Sequence, residues 1–120
     1  MEFQRIEENG RIIAVVRSDE KVITDVQSAL DLLMSAIYTA GTKDIVVDKE
    51  LICEDFFILS TCLAGEILQK FINYGGRIAI CGDFSCYTSK PLRDFIYESN
   101  KGKNVFFAAT EAEAVAMLAG

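Results

Sequence analysis

Apolar positions along this chain change their spacing several times, and each change marks an element. Phe3 to Glu8 and Arg11 to Arg17 read as extended runs on either side of Asn9-Gly10. Asn-Gly between two such runs is the strongest short-range hairpin signal. The second run, Ile12-Ile-Ala-Val-Val16, is continuously apolar, as expected of a strand covered on both faces. Thr24-Asp-Val-Gln27 has the form of a capping box, and Val26, Leu30, Leu33 and Ile37 then recur at helical spacing until Gly41. Asp44-Ile-Val-Val-Asp48 is a short buried strand. Glu54 to Tyr74 reads as one long helix with Leu63, Ile67 and Phe71 on a stripe, stopped by Gly75-Gly76. A strand follows to Gly82, a helix from about Pro91 to Asn100, and a strand over Asn104 to Ala108. Thr110-Glu-Ala-Glu113 is a second capping box and opens a terminal helix to Leu118.

The predicted order is ββαβαβαβα. Strands separated by helices pair in parallel through right-handed crossovers, whereas a hairpin joins antiparallel neighbours. The expected fold is therefore a single α/β domain over residues 1–120. Its mixed, mainly parallel sheet should carry an antiparallel N-terminal strand at or near an edge. A length of 120 residues and a hydrophobic content of 51% suffice for one domain with a true core.

Charge narrows the function classes. The net charge is −6 and the pI near 4.6, with no basic cluster, which argues against nucleic acid and against anionic membrane surfaces. No run of about 18 apolar residues suggests a membrane span, and the expected setting is the cytosol. The absence of histidine removes His-dependent triads and His metal ligands. The four cysteines at 53, 62, 81 and 86 form no Cys-x-x-Cys pair, so neither a zinc site nor a thioredoxin-type site is expected, and the thiols should be reduced. No cofactor is implied.

The most informative polar stretch follows the strand that ends at Gly82. Asp83, Ser85, Thr88, Ser89, Lys90 and Arg93 cluster where a strand gives way to a helix, the edge at which open α/β sheets bind ligands. A helix N-terminus with hydroxyls and two cations suits a small anion. The plainer reading, which is favoured, makes Thr88 or Ser89 a cap and pairs Arg93 with Asp94 or Glu98. Asp25, Asp48, Asp55 and Asp83 also follow strands and could in principle bind Mg²⁺ or act as bases, but they are read as caps and solvated surface, with no metal site. Cys86 lies near Lys90 and is read as an incidental thiol, since no histidine is present to activate it. Tyr87, Phe95 and Tyr97 fall on both sides of the helix, with Phe95 as core. The apolar turn Phe56-Phe-Ile-Leu59 is unusual for a helix start, so Phe56 and Phe57 are candidate interface residues.

This order of elements resembles the STAS domain, the fold of anti-sigma-factor antagonists and of the cytoplasmic tails of sulfate transporters. The likeness is carried by Phe71-Ile-Asn-Tyr-Gly-Gly-Arg-Ile-Ala-Ile-Cys81, by Pro91-Leu-Arg-Asp-Phe95 and by the Thr110 to Leu118 helix. A closer resemblance is to a family of short bacterial proteins, domain of unknown function 4180. It rests on Glu54-Asp-Phe-Phe57, Leu63-Ala-Gly-Glu66, Leu68-Gln-Lys-Phe71 and Tyr87-Thr-Ser-Lys90, with Leu92-Arg-Asp-Phe-Ile-Tyr-Glu-Ser-Asn100. The STAS resemblance implies a non-enzymatic regulatory module that works through a protein partner or a homodimer, switched by phosphorylation or a bound anion. The rival is a small-ligand-binding protein or enzyme acting on a phosphate- or carboxylate-bearing molecule at loop 83–93. In anti-sigma-factor antagonists the phosphorylated Ser lies in an Asp-Ser-Ser/Thr-Gly motif. Here the nearest equivalent is Leu59-Ser60-Thr61-Cys62, with no preceding Asp and with Cys62 in place of Gly. Ser60 and Thr61 are thus candidate phosphorylation sites, against the favoured reading that they are small residues inside the helix that permit close packing.

Overall fold

The computed structural model describes residues 1–120. The hairpin is formed by β1 (Glu2–Glu8) and β2 (Arg11–Arg17), paired antiparallel from Glu2↔Arg17 to Glu8↔Arg11. Asn9 and Gly10 both take positive φ, 54° and 77°, the turn whose twist matches a two-residue hairpin. Then follow α1 (Val26–Ser35), drawn out by a wide turn over Ala36–Ala40, and β3 (Asp44–Asp48). Next come α2 (Leu63–Asn73), β4 (Arg77–Cys81), α3 (Lys90–Asn100), β5 (Val105–Ala108) and α4 (Glu111–Ala119). The sheet order is β1-β2-β3-β4-β5, with every pair after the first parallel. This is the mixed sheet and the order of elements that the hydrophobic pattern implies.

Alternation along the strands assigns the two faces. Ala14, Val16, Ile45, Val47, Ile78, Ile80, Val105 and Phe107 pack in one core with residues of α1, α2 and α3. Ile13, Val15, Val46, Ala79, Cys81, Phe106 and Ala108 point the other way and are covered by Ala114, Val115, Leu118 and Ala119 of α4. From β2 to β5 both faces are dry, which explains why these strands are continuously apolar; β1, at the edge, stays largely exposed. No helix is long and apolar enough to cross a membrane.

Local chemistry corrects two element boundaries. The α1 cap is Asp25, not Thr24: its carboxylate accepts from the Ser28 N–H at 2.7 Å, and Ser28 Oγ accepts from the Asp25 N–H at 3.0 Å. The predicted helix over Glu54 to Tyr74 is helical only from Leu63. Its first part is two tight 3₁₀ turns, Glu54–Phe57 and Leu59–Thr61, broken from α2 by Cys62 at φ 64°. The Thr61 hydroxyl holds this break. It approaches the carbonyl oxygens of Asp55 and Ile58 at 2.7 and 2.8 Å and accepts from the Leu63 N–H at 3.3 Å, the competition by which hydroxyl side chains divert a backbone from helix.

At the far edge of the sheet the Asn100 amide lies alongside β5. Its Oδ1 accepts from the Phe107 N–H at 2.7 Å, and its Nδ2 donates to the Phe107 carbonyl at 3.1 Å. A side chain thereby occupies groups that a sixth strand would use.

Candidate functional site

The carboxyl ends of β3 and β4 carry the loops that form the site. At the end of β4 the chain turns sharply at Gly82, φ 151°, where an added Cβ would stand 2.7 Å from Lys49 Cγ. The Lys49 stem can cross this point only because no side chain is there. Asp83 then closes a small turn. Hydrogen bonds from Ser85, side chain first and backbone N–H second, hold its carboxyl below the usual range. Phe84 is set edge-on against Phe107 at 5.5 Å, and Tyr87 stacks on Phe57 at 5.2 Å and 22°. The Tyr87 hydroxyl donates to the Glu54 carboxylate at 3.2 Å, and the Lys49 ammonium lies 5.0 Å from the centre of its ring. Burial, followed by the negative charge of Glu54, raises the Tyr87 pKa. Ser89 ends the loop as the α3 cap, accepting from the Leu92 N–H at 3.4 Å.

This fastened loop faces the 3₁₀ turns across an open groove of about 420 Å³. Ile58, Leu59, Tyr87 and Pro91 line it, with the buried Phe57 and Leu92 at its base, and Ser60, Cys86, Thr88 and Ser89 complete the lining. Ile58 is half exposed, and Ser60 is exposed with its hydroxyl unbonded, whereas the Thr61 hydroxyl is committed to the turn. A second groove, which shares Tyr87 and Thr88 with the first, brings Ser85, Thr88 and Arg93 together beside Phe84 and Ile96.

The residues expected at loop 83–93 therefore divide. Ser85, Thr88 and Arg93 share one surface, and Arg93 makes no ion pair. Thr88 and Ser89 also line the apolar groove, where Ser89 is the cap. Lys90 is drawn to Asp94 at 2.6 Å, and Asp83 is used by its own turn. The expected pairing of Arg93 with Asp94 or Glu98 is thus replaced by Lys90–Asp94 and Lys101–Glu98. Tyr97 is exposed under the Lys101 ammonium, and Phe95 packs edge-on against Phe107 at 6.0 Å.

Phe56 and Phe57 do not form an exposed interface. They are 1% and 3% exposed and belong to the main core, because the 3₁₀ turns fold their rings inward against each other and against Tyr87. Ser60 and Thr61 likewise lie ahead of α2 and not within it. Of the carboxylates, Asp25 caps α1 and Asp48 accepts from the Glu50 N–H at 2.8 Å, while no three Cys, Asp or Glu side chains are grouped as metal ligands. Cys81 is buried, and burial, then the charges of Asp48 and Glu111, push its thiol up to about 11. Sequence reasoning missed Lys49, Glu54, Ile58 and Leu92. Only the apolar turn at 56–59 could have pointed to Ile58, through its failure to fit a helix stripe.

No curated protein matches the sequence. Among solved structures, a Thermotoga maritima protein assigned as an anti-sigma factor antagonist is similar over 97% of this chain and 93% of its own, at 12% identity and a TM-score of 0.45. A likeness that distant does not extend to function. The model of the family described as domain of unknown function (DUF4180) matches residues 8–118, and the chain belongs to that family.

Proposed function

We propose that this chain is a regulatory protein-interaction module that receives a short apolar segment of a partner protein in the groove between residues 57–60 and 86–92. The observation that carries this reading is the character of the groove: open, lined mostly by apolar side chains, and with the Ser60, Thr88 and Ser89 hydroxyls among them. Small-molecule sites bury most of their ligand and converge a few polar groups on it. An open apolar trough with hydroxyls among its lining residues has instead the make-up of an interface. The net charge of −6 favours a protein partner over a nucleic acid.

Ser60 is the natural switch in this reading. A phosphate there adds roughly two negative charges at the mouth of an apolar groove, which a hydrophobic segment would have to desolvate. Phosphorylation would close the groove to its partner.

The test is affinity capture run in parallel with wild type, Ile58→Glu and Ser60→Glu, all checked for equal melting temperature. A defined protein retained by wild type and lost from both variants supports the reading. Identical captured sets refute it. A homodimer would show itself as a wild-type dimer in sedimentation that Ile58→Glu makes monomeric.

A second reading has one observation in its favour: Arg93 is unpaired beside Ser85 and Thr88. A small carboxylate or phosphate bound there at one hundred times its dissociation constant would add about 2.7 kcal/mol of stability. Arg93→Ala would abolish that gain while leaving capture at the apolar groove unchanged.

A further inference from the structure

The opposite end of the sheet carries a different chemistry. Arg11, Asp44 and Arg77 are the first residues of β2, β3 and β4; the register pairs Asp44 with Arg77, and Arg11, two residues ahead of the position level with Asp44, reaches back to it with its side chain. Asp44 is buried, with Arg11 at 3.6 Å and Arg77 at 3.5 Å. Beside them opens a groove of about 510 Å³, lined by Arg11, Arg77, Lys103 and Asn104, with Phe106 and Met117 as its apolar part. Three cations line it, with Gly102 and Gly120 completing the lining, on a chain whose net charge is −6.

Arg77 is held rigidly. Its Nε donates to the Lys103 carbonyl at 2.8 Å, its Nη1 to the Leu118 carbonyl at 2.9 Å, and its guanidinium lies 5.8 Å from the centre of the Phe106 ring. Nη2 has no hydrogen-bond partner within the protein. Arg11 and Lys103 flank it, and Arg11 is half exposed. With Nε and Nη1 engaged, Nη2 alone is left to donate to an oxyanion.

We propose that this amino-edge groove binds a small phosphate monoester, with the phosphate between Arg77 Nη2, Arg11 and Lys103 and its organic part against Met117 and Phe106. The site is independent of the apolar groove, since it occupies the other end of the strands.

Inorganic phosphate and phenyl phosphate, titrated into ¹⁵N-labelled protein at constant ionic strength, test the proposal. The expected result is a saturable shift of the 102–106 and Arg11 amides, tighter for phenyl phosphate because its ring meets the apolar wall. Arg11→Gln and Lys103→Gln, which change side chains and leave the backbone carbonyls that Arg77 holds in place, should each weaken binding about tenfold, and together about a hundredfold. Ile58→Glu should leave it unchanged. Phosphate binding that is as tight in the Arg11→Gln, Lys103→Gln double variant, or shifts spread evenly over the surface, would overturn the proposal. Equal affinity for the two phosphates would remove the organic part of it and leave an anion site alone. The melting temperature of each variant separates lost binding from lost fold.

Discussion

Replacing Phe57 with Ala bears most directly on how the site is held. The ring is 3% exposed and lies 5.0 Å from Phe56, 5.2 Å from Tyr87 and 6.2 Å from Phe84. Truncating a buried Phe costs about 3 to 5 kcal/mol, from lost transfer energy and the cavity left behind. The stacked Tyr87 pair accounts for about 0.5 to 1.5 kcal/mol of that. Unfolding entropy of about 2.1 cal/mol/K per residue makes each kcal/mol worth about 4 °C in a chain of 120 residues. The expected fall in melting temperature is therefore about 12 to 20 °C, with a matching loss from urea denaturation. The loss is a large part of the total stability of a single domain, about 5 to 15 kcal/mol, so the variant should still fold at low temperature. Tyr87 would lose its stacking partner, and amide exchange should rise across residues 83–89 ahead of the rest of the chain. A loss below about 1 kcal/mol, the ordinary range for a surface position, would refute the burial described for this ring and restore the expectation that it faces a partner.

Two further outcomes follow from the same geometry. Gly82→Ala sets a side chain at φ 151° and within 2.7 Å of Lys49 Cγ, and should destabilise by about 1 to 3 kcal/mol in urea; adding Lys49→Ala should relieve the clash and leave the backbone strain. The hydrogen bonds from Arg17, at 2.5 and 2.9 Å, and then its charge hold the Glu111 carboxyl below its ordinary value of 4.5. A lowered folded pKa means the stabilisation is present above pH 4.5 and lost as pH falls through the folded value. Because both side chains are more than a third exposed, the effect is small, about 0.2 to 1 kcal/mol. The urea midpoints of wild type and Glu111→Gln should differ at pH 7 and converge toward pH 3.

Strand and helix order were legible because each element keeps its own period: apolar runs for strands dry on both faces, and a stripe of three or four for the helices. What escaped was local or long-range. The α1 cap moved by one residue because Thr24 and Asp25 are both good caps, and only the reach of Asp25 to the Ser28 N–H distinguishes them. The start of α2 was misplaced because Phe56-Phe57-Ile58-Leu59 is apolar throughout, so periodicity could not tell a helix from a turn wrapped on the core. Nothing in the sequence announces the positive φ of Cys62, which has no glycine to mark it. The apolar groove needs residues 57–60 to meet 86–92, a contact no local pattern encodes. The amino-edge cations were partly within reach. Arg11, Asp44 and Arg77 each open a predicted or nearly predicted strand, and parallel pairing places such residues side by side.

The Asn100 amide has a consequence for how this chain can change over time. A carboxamide offers one donor and one acceptor in the spacing of a peptide unit, so the end of α3 stands in for a single residue of strand beside Phe107. That match depends on a connection of fixed length: Lys101 to Asn104 must return the backbone so that residues 100 and 107 meet in register. Insertions or deletions there would uncouple the pair and leave an apolar strand edge bare. The connection between β2 and α1 is fastened only from Lys21 onward, where Lys21 Nζ donates to the Glu50 carbonyl at 3.1 Å, the Val22 N–H donates to the Leu51 carbonyl at 2.7 Å, and Ile23 bridges Ile52. Length variation in the family should therefore collect at residues 18–20, ahead of that fastening, and be scarce at 101–104, although both segments are short, polar surface turns.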